Sequence, residues 1–99
     1  MADVQSAARV EESVRYALAR HGGLGDIAGR VEANDDLYAR GLTSLASVRV
    51  MLAIEEALSI EFPEELLTRS LFATIDSLVR VCTGLVRPSG SESSAESLA

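Results

Sequence analysis

Asp36-Leu37-Tyr38-Ala39-Arg40-Gly41-Leu42-Thr43-Ser44-Leu45 is the stretch on which the reading of this chain turns, because a polar, glycine-bearing segment there gives way to a long apolar pattern. No Gly or Pro interrupts the chain from Ser44 to Leu58, and Val48, Met51, Ile54 and Leu58 recur at helical spacing. That predicts a helix from Ser44 to about Leu58 with Thr43 as its N-cap. Leu45 and Leu52 fall partly off the stripe, and two apolar faces on one helix imply that one of them meets a partner.

Upstream, Ala7, Val10, Val14, Ala17 and Leu18 recur at three- and four-residue steps, predicting an amphipathic helix from about Val4 to Arg20. His21-Gly22-Gly23 ends it through a glycine able to take the left-handed cap conformation. From there to Thr43 lies a long loop with scattered apolar residues, Leu24, Ile27, Val31, Leu37 and Tyr38, expected to pin it against the helices. A loop of that length is uncommon in a compact domain and is usually functional, or else the assignment is wrong.

Downstream, Ile60 and Phe62 lead to Pro63, suited to the first position of a short helix through Glu64, Glu65, Leu66 and Leu67. The acidic pair at its start suits the helix dipole. A last helix is expected from Thr74, as N-cap, to about Val86, burying Ile75, Leu78, Val79 and Cys82. The Ser-, Gly- and Glu-rich segment from Pro88 onward is too polar and too simple to pack. The expected organisation is one domain over residues 1–87 and a disordered tail over 88–99. There is no internal repeat.

Bulk composition agrees with helices. Ninety-nine residues suffice for one small core. The chain is 47% hydrophobic but only 4% aromatic, with no Trp, so its core is built from Leu, Val, Ile and Ala. A sheet would call for more β-branched and aromatic residues. The net charge is -6 and all nine basic residues are Arg. An acidic domain repels nucleic acid and anionic membrane surfaces, which leaves basic protein partners as the better expectation. Cys82 and His21 are the sole residues of their types, so neither an internal disulfide nor a zinc ligand set is available. With no export signal or apolar run long enough to span a bilayer, the expectation is a cytoplasmic, metal-free monomer.

The Asp36–Leu45 stretch resembles the phosphopantetheine attachment site of acyl and peptidyl carrier proteins: an acidic residue, an apolar pair, then Gly-Leu-x-Ser-Leu opening a helix. The resemblance continues without a gap through the closing Glu55-Glu56-Ala57-Leu58-Ser59-Ile60-Glu61-Phe62-Pro63. It implies an all-α, four-helix acyl-carrier-protein-like bundle with a long loop between helices 1 and 2 and a short helix 3. It also implies that Ser44 carries a covalent 4'-phosphopantetheine arm, which holds an activated group as a thioester, and that the protein is a shuttle and not an enzyme. The family's partner face maps to Leu45, Val48, Leu52, Glu55 and Glu56. Leu42 and Thr43 lie beside the serine, and Leu42 could either anchor the turn or greet the enzyme that installs the arm.

The residues themselves suit that chemistry. The first N–H groups of a helix have no intrahelical partner and point at an anion, so a phosphate on Ser44 would sit in a favourable field. Such contributions are about 0.3–1 kcal/mol. Gly41 would let the backbone turn tightly into the helix. From Glu55 to Glu65 there are five acidic residues and no basic ones, able to steer a basic enzyme surface. A solvated acidic patch that only keeps the protein soluble would look the same.

The chain also departs from the family. Thr43 stands where most acyl carriers have Asp, and Ala46 and Arg49 occupy positions commonly acidic there. That weakens the match to fatty-acid synthesis enzymes. The Asp36–Leu42 run, Met51-Leu52-Ala53-Ile54-Glu55-Glu56 and Phe62-Pro63-Glu64-Glu65-Leu66-Leu67 followed by Phe72-Ala73-Thr74-Ile75 look like small stand-alone bacterial carriers. That group includes aminoacyl carriers loaded by seryl-tRNA-synthetase-like amino acid:carrier protein ligases. The partners so implied are a phosphopantetheinyl transferase, such a ligase or another acyl-activating enzyme, and a downstream transferase.

Two other readings stay open on sequence. One is an acyl carrier for a specialised lipid or polyketide pathway. The other is a non-catalytic helical interaction module in which Ser44 is an ordinary cap. A hydrolase using Ser44 lacks a base, since His21 is the sole histidine. Cys82 on an apolar stripe is a core thiol, Asp35 and Asp36 read as turn formers, and Tyr38 reads as a loop anchor.

Overall fold

The computed structural model describes residues 2–86, with side chains from residue 7 onward. Its elements are three α-helices, α1 (Ala2–His21), α2 (Ser44–Leu58) and α3 (Ile75–Leu85), and two 3-10 turns at Gly25–Gly29 and Glu64–Leu66. There is no strand among the described residues. The expected all-α class is therefore present. The expected short helix after Pro63 is a single 3-10 turn in which Pro63, extended at φ -62 and ψ 144, is the capping residue. The tail over 88–99 lies outside the described residues.

α1 is the element against which α2, α3 and the first 3-10 turn all pack. Val10, Val14, Ala17 and Leu18 form its buried stripe, and meet Val50 and Ile54 of α2 and Ile75, Leu78 and Cys82 of α3 in one core. The helix ends as expected. Gly23 takes φ +80, and the Leu18 carbonyl accepts both the Gly22 and Leu24 N–H groups. Gly22 is required for a different reason, close approach. A Cβ there would lie 2.8 Å from the Leu18 carbonyl oxygen and 3.2 Å from the Val50 side chain, so its absence lets the end of α1 come in against α2.

The core stripe of α2 differs from the expected one. Val48 is 48% exposed, while Ser47 and Val50 are buried together with Ile54, and Met51 and Leu58 are partly buried. The buried arc is rotated towards α1. A serine is tolerated inside it because the Ser47 hydroxyl donates to the Ser44 carbonyl at 2.7 Å.

Residues 22–43 are not a free loop. Leu24, Ala28, Val31, Leu37 and Leu42 are buried, while Ile27, expected among the anchors, is exposed. The 3-10 turn at Gly25–Gly29 was not evident from periodicity because it is too short to display one. Arg15 of α1 secures this segment: its guanidinium donates to the carbonyls of Ala28 and Val31, each at 2.9 Å, and pairs with Glu11 at 2.9 Å. Two backbone bonds tie the segment to the entry of α3, Leu37 N–H to the Ala73 carbonyl and Asp76 N–H to the Ala33 carbonyl, both 2.8 Å. Together these contacts fix the direction from which the chain enters α2.

Candidate functional site

The turn into α2 is built residue by residue. Asp36 Oδ1 accepts the N–H groups of Tyr38 at 3.0 Å and Ala39 at 3.4 Å, an Asx turn that starts the approach. Gly41 then takes φ +120, a conformation that L side chains rarely adopt, and Leu42 inserts into the core with its N–H on the Leu37 carbonyl at 3.0 Å. Thr43 is extended, and its Oγ1 accepts the Ala46 N–H at 3.0 Å. Thr43 is thus the cap, and Ser44, the first helical residue, is exposed. The capping and the exposed hydroxyl fall on adjacent residues.

Ser44 stands at the edge of a cleft of about 350 Å³ between α2 and the segment that follows the second 3-10 turn. Val48 and Met51 line it from α2, Leu67, Thr68, Arg69 and Phe72 from the segment after the turn, and Tyr38 from the long connection. That size is within the range of small-molecule sites, about 300–1,000 Å³. Tyr38 is the loop anchor expected of it: its hydroxyl donates to the Arg69 carbonyl at 3.2 Å, and the Arg69 guanidinium lies 3.7 Å from its ring centre. Arg69 and this cleft were missed on sequence, since residues 67–72 approach Ser44 only through the fold.

Leu45, Val48 and Leu52 are 66%, 48% and 55% exposed and form an apolar ridge on α2 that starts next to Ser44, with Val48 shared between the ridge and the cleft. Glu56 is exposed one turn further on. Two of the residues expected to meet a partner have a structural task. Leu42 is 4% exposed and anchors the turn from inside the core. Glu55 is half-buried, and its Oε2 accepts the Phe62 N–H at 2.9 Å, so it braces the chain that leaves α2.

His21 is exposed and shares with Thr43, Leu45 and Arg49 a separate cleft of about 270 Å³, not the one that Ser44 borders. Burial pushes the Cys82 thiol up to about 12 from its usual 9.0, which makes it a poor nucleophile. No group of three or more His, Cys, Asp or Glu that could hold a metal ion exists among the described residues, and no helix there is long and apolar enough to cross a membrane.

The surroundings of Ser44 fit a phosphopantetheine arm: the serine is exposed, it borders a cleft with apolar walls, and Arg69 is among the residues that line that cleft. Comparison with known proteins points the same way. Residues 24–82 match the family described as the phosphopantetheine attachment site. An aminoacyl carrier protein of Agrobacterium fabrum is 47% identical over 66 residues, covering 67% of this chain and 80% of the relative. The fold is similar to a chain in the crystal structure of an engineered Bradyrhizobium japonicum glycine:[carrier protein] ligase complexed with carrier protein from Agrobacterium tumefaciens and ATP. There the TM-score is 0.71 at 41% identity, over 77% of this chain and 99% of that one. A solution structure from Agrobacterium tumefaciens is similar with TM-score 0.63 and 40% identity, over 84% of this chain and 98% of that one. With sequence, fold and the turn around the serine in agreement, the chain belongs to the carrier-protein family defined by the phosphopantetheine attachment site.

Proposed function

We propose that this protein carries an amino acid on a 4'-phosphopantetheine arm esterified to Ser44, loaded by a dedicated amino acid:carrier protein ligase. The observation that carries the assignment to Ser44 is the division of labour at the start of α2: Thr43 caps the helix, which leaves the neighbouring hydroxyl exposed and free of that role. The arm supplies a thiol that holds the cargo. Everything else the chain contributes is position, charge and exclusion. It performs no catalysis and acts as a monomer in the cytoplasm. The 3-10 turn at Glu64–Leu66 takes the place of the short third helix of a four-helix carrier bundle.

The amino-acid cargo is supported by the similarity to an aminoacyl carrier protein and to a structure containing a glycine:[carrier protein] ligase. Thr43 and the ridge of Leu45, Val48 and Leu52, extended by Glu56, form the surface offered to the ligase, the phosphopantetheinyl transferase and the downstream transferase. Three exposed apolar side chains on one helix face make a docking contact in which apolar burial supplies most of the affinity.

The test is intact mass after incubation with coenzyme A and a broad-specificity phosphopantetheinyl transferase, followed by ligase, ATP and single amino acids. A gain of one phosphopantetheine, absent in Ser44→Ala, followed by a second gain equal to one aminoacyl group is the expected result. Absence of the first gain, with the transferase active on another carrier, would return Ser44 to the role of a surface residue on an interaction module.

A further inference from the structure

We infer that Arg69, seated on the Tyr38 ring, binds the phosphodiester of the arm and lays the arm's near end into the cleft between α2 and residues 67–72. This rests on the reading of Ser44 as the attachment residue and adds to it the residue that orients what is attached. Most arginines here have evident tasks or stand apart from Ser44. Arg15, Arg40 and Arg80 are ion-paired, and Arg49 lines the other cleft. Arg69 has no carboxylate partner and no side-chain hydrogen bond among the described residues, yet its position is fixed. Its guanidinium lies 3.7 Å from the Tyr38 ring centre, and the same tyrosine's hydroxyl donates to the Arg69 backbone carbonyl at 3.2 Å. A stacked guanidinium keeps its N–H edge available, and that planar edge matches phosphate oxygens. Ser44 borders the same cleft.

The phosphate is a better match for this group than the cargo is. The phosphodiester is joined directly to the Ser44 oxygen, so its negative charge lies beside a residue that lines the same cleft as Arg69. An aminoacyl cargo carries an ammonium group, which an unpaired guanidinium repels. Arg69 therefore selects the near end of the arm for the cleft and leaves the charged far end outside, where a receiving enzyme can reach it.

Amide and arginine side-chain NMR spectra of the full chain before and after conversion with coenzyme A and transferase test this, with the attached mass confirmed for each sample. Conversion of the wild type is expected to move the signals of Leu67, Thr68, Phe72 and the Arg69 side chain as well as those next to Ser44. In Arg69→Gln, with the same mass gain, the shifts at Leu67, Thr68 and Phe72 should collapse, with those beside Ser44 retained. Arg69→Lys should restore them in part, because the charge returns without the planar fork. Tyr38→Leu should weaken them by unseating the guanidinium, and Arg49→Gln should leave them as in the wild type. Shifts confined to residues near Ser44 in the wild type, or an unchanged pattern in Arg69→Gln, would overturn the role of Arg69 while leaving attachment intact. Failure of the wild type to gain mass would overturn both.

Discussion

The Glu55 carboxylate reaches past the end of α2 and accepts the backbone N–H of Phe62 at 2.9 Å. Between them the chain reverses through Ser59, a non-glycine residue held at φ 56, and Phe62 is buried in the core. One of two neighbouring glutamates is thereby a brace, and the other, Glu56, is left exposed.

That separation is measurable. Glu55→Ala is expected to lower stability by about 1–2 kcal/mol, the range for a hydrogen bond to a charged group after allowance for partial exposure. Glu55→Gln, which keeps an acceptor, should lose less. Glu56→Lys should leave the denaturation midpoint nearly unchanged while slowing association with a basic partner, an effect that fades with added salt. Equal destabilisation by changes at the two positions would contradict the geometry.

Thr43 and Ser44 should dissociate in the same way. Thr43→Ala removes the acceptor of the Ala46 N–H and is expected to cost about 0.5–2 kcal/mol, as helix caps do, while the serine still takes up the arm. Ser44→Ala should leave helical circular dichroism and the thermal midpoint almost unaltered and abolish the mass gain. A strongly destabilised Ser44→Ala would mean that the hydroxyl is structural.

Leu52→Ser, at a half-exposed position on the apolar ridge, should change stability by no more than about 0.5 kcal/mol. Its effect belongs in binding. If the ridge is the docking face, titration calorimetry with a partner enzyme should show a loss of more than about 1 kcal/mol. The same substitution at Ile54, which has no exposed surface, should unfold the protein and so serves as a contrast.

Cys82 gives the pH dependence its sign. The folded protein holds the thiol neutral, with its ionisation raised from 9.0 to about 12 by burial, whereas the unfolded chain ionises it near the usual value. Stability from this group is complete below pH 9 and is lost as pH rises from there towards 12. In Cys82→Ala, that alkaline decline should be shallower in denaturation measured across this range. Native protein at pH 8 should react with a thiol reagent only as fast as it unfolds.

What could be read in the chain and what could not divide along physical lines. Helix ends were legible because they depend on neighbours: Thr43 and Thr74 each accept an N–H three residues on, at 3.0 Å, as their position before an apolar run predicts. The serine was legible for the same reason, since the turn that exposes it is made by Asp36, Gly41 and Leu42 within one short stretch. The rotation of α2 was not, because periodicity marks an apolar arc without saying which edge of it α1 will cover. Val48 and Val50 are equally apolar, yet Val50 is packed into the core shared with α1, close to Gly22, and Val48 is left 48% exposed.

The sequence by itself therefore determined the all-helical class, the starts of α2 and α3 and the residue expected to carry the arm, all of them set by contacts within a few positions. Tertiary structure alone decided that Glu55 braces and Glu56 does not, that Arg15 holds the long connection through the Ala28 and Val31 carbonyls, and that Arg69 comes to share a cleft with Ser44. Those relations join residues that the chain separates and that only the packing of α2 and residues 67–72 around a common core brings together. A local pattern carries no information about them.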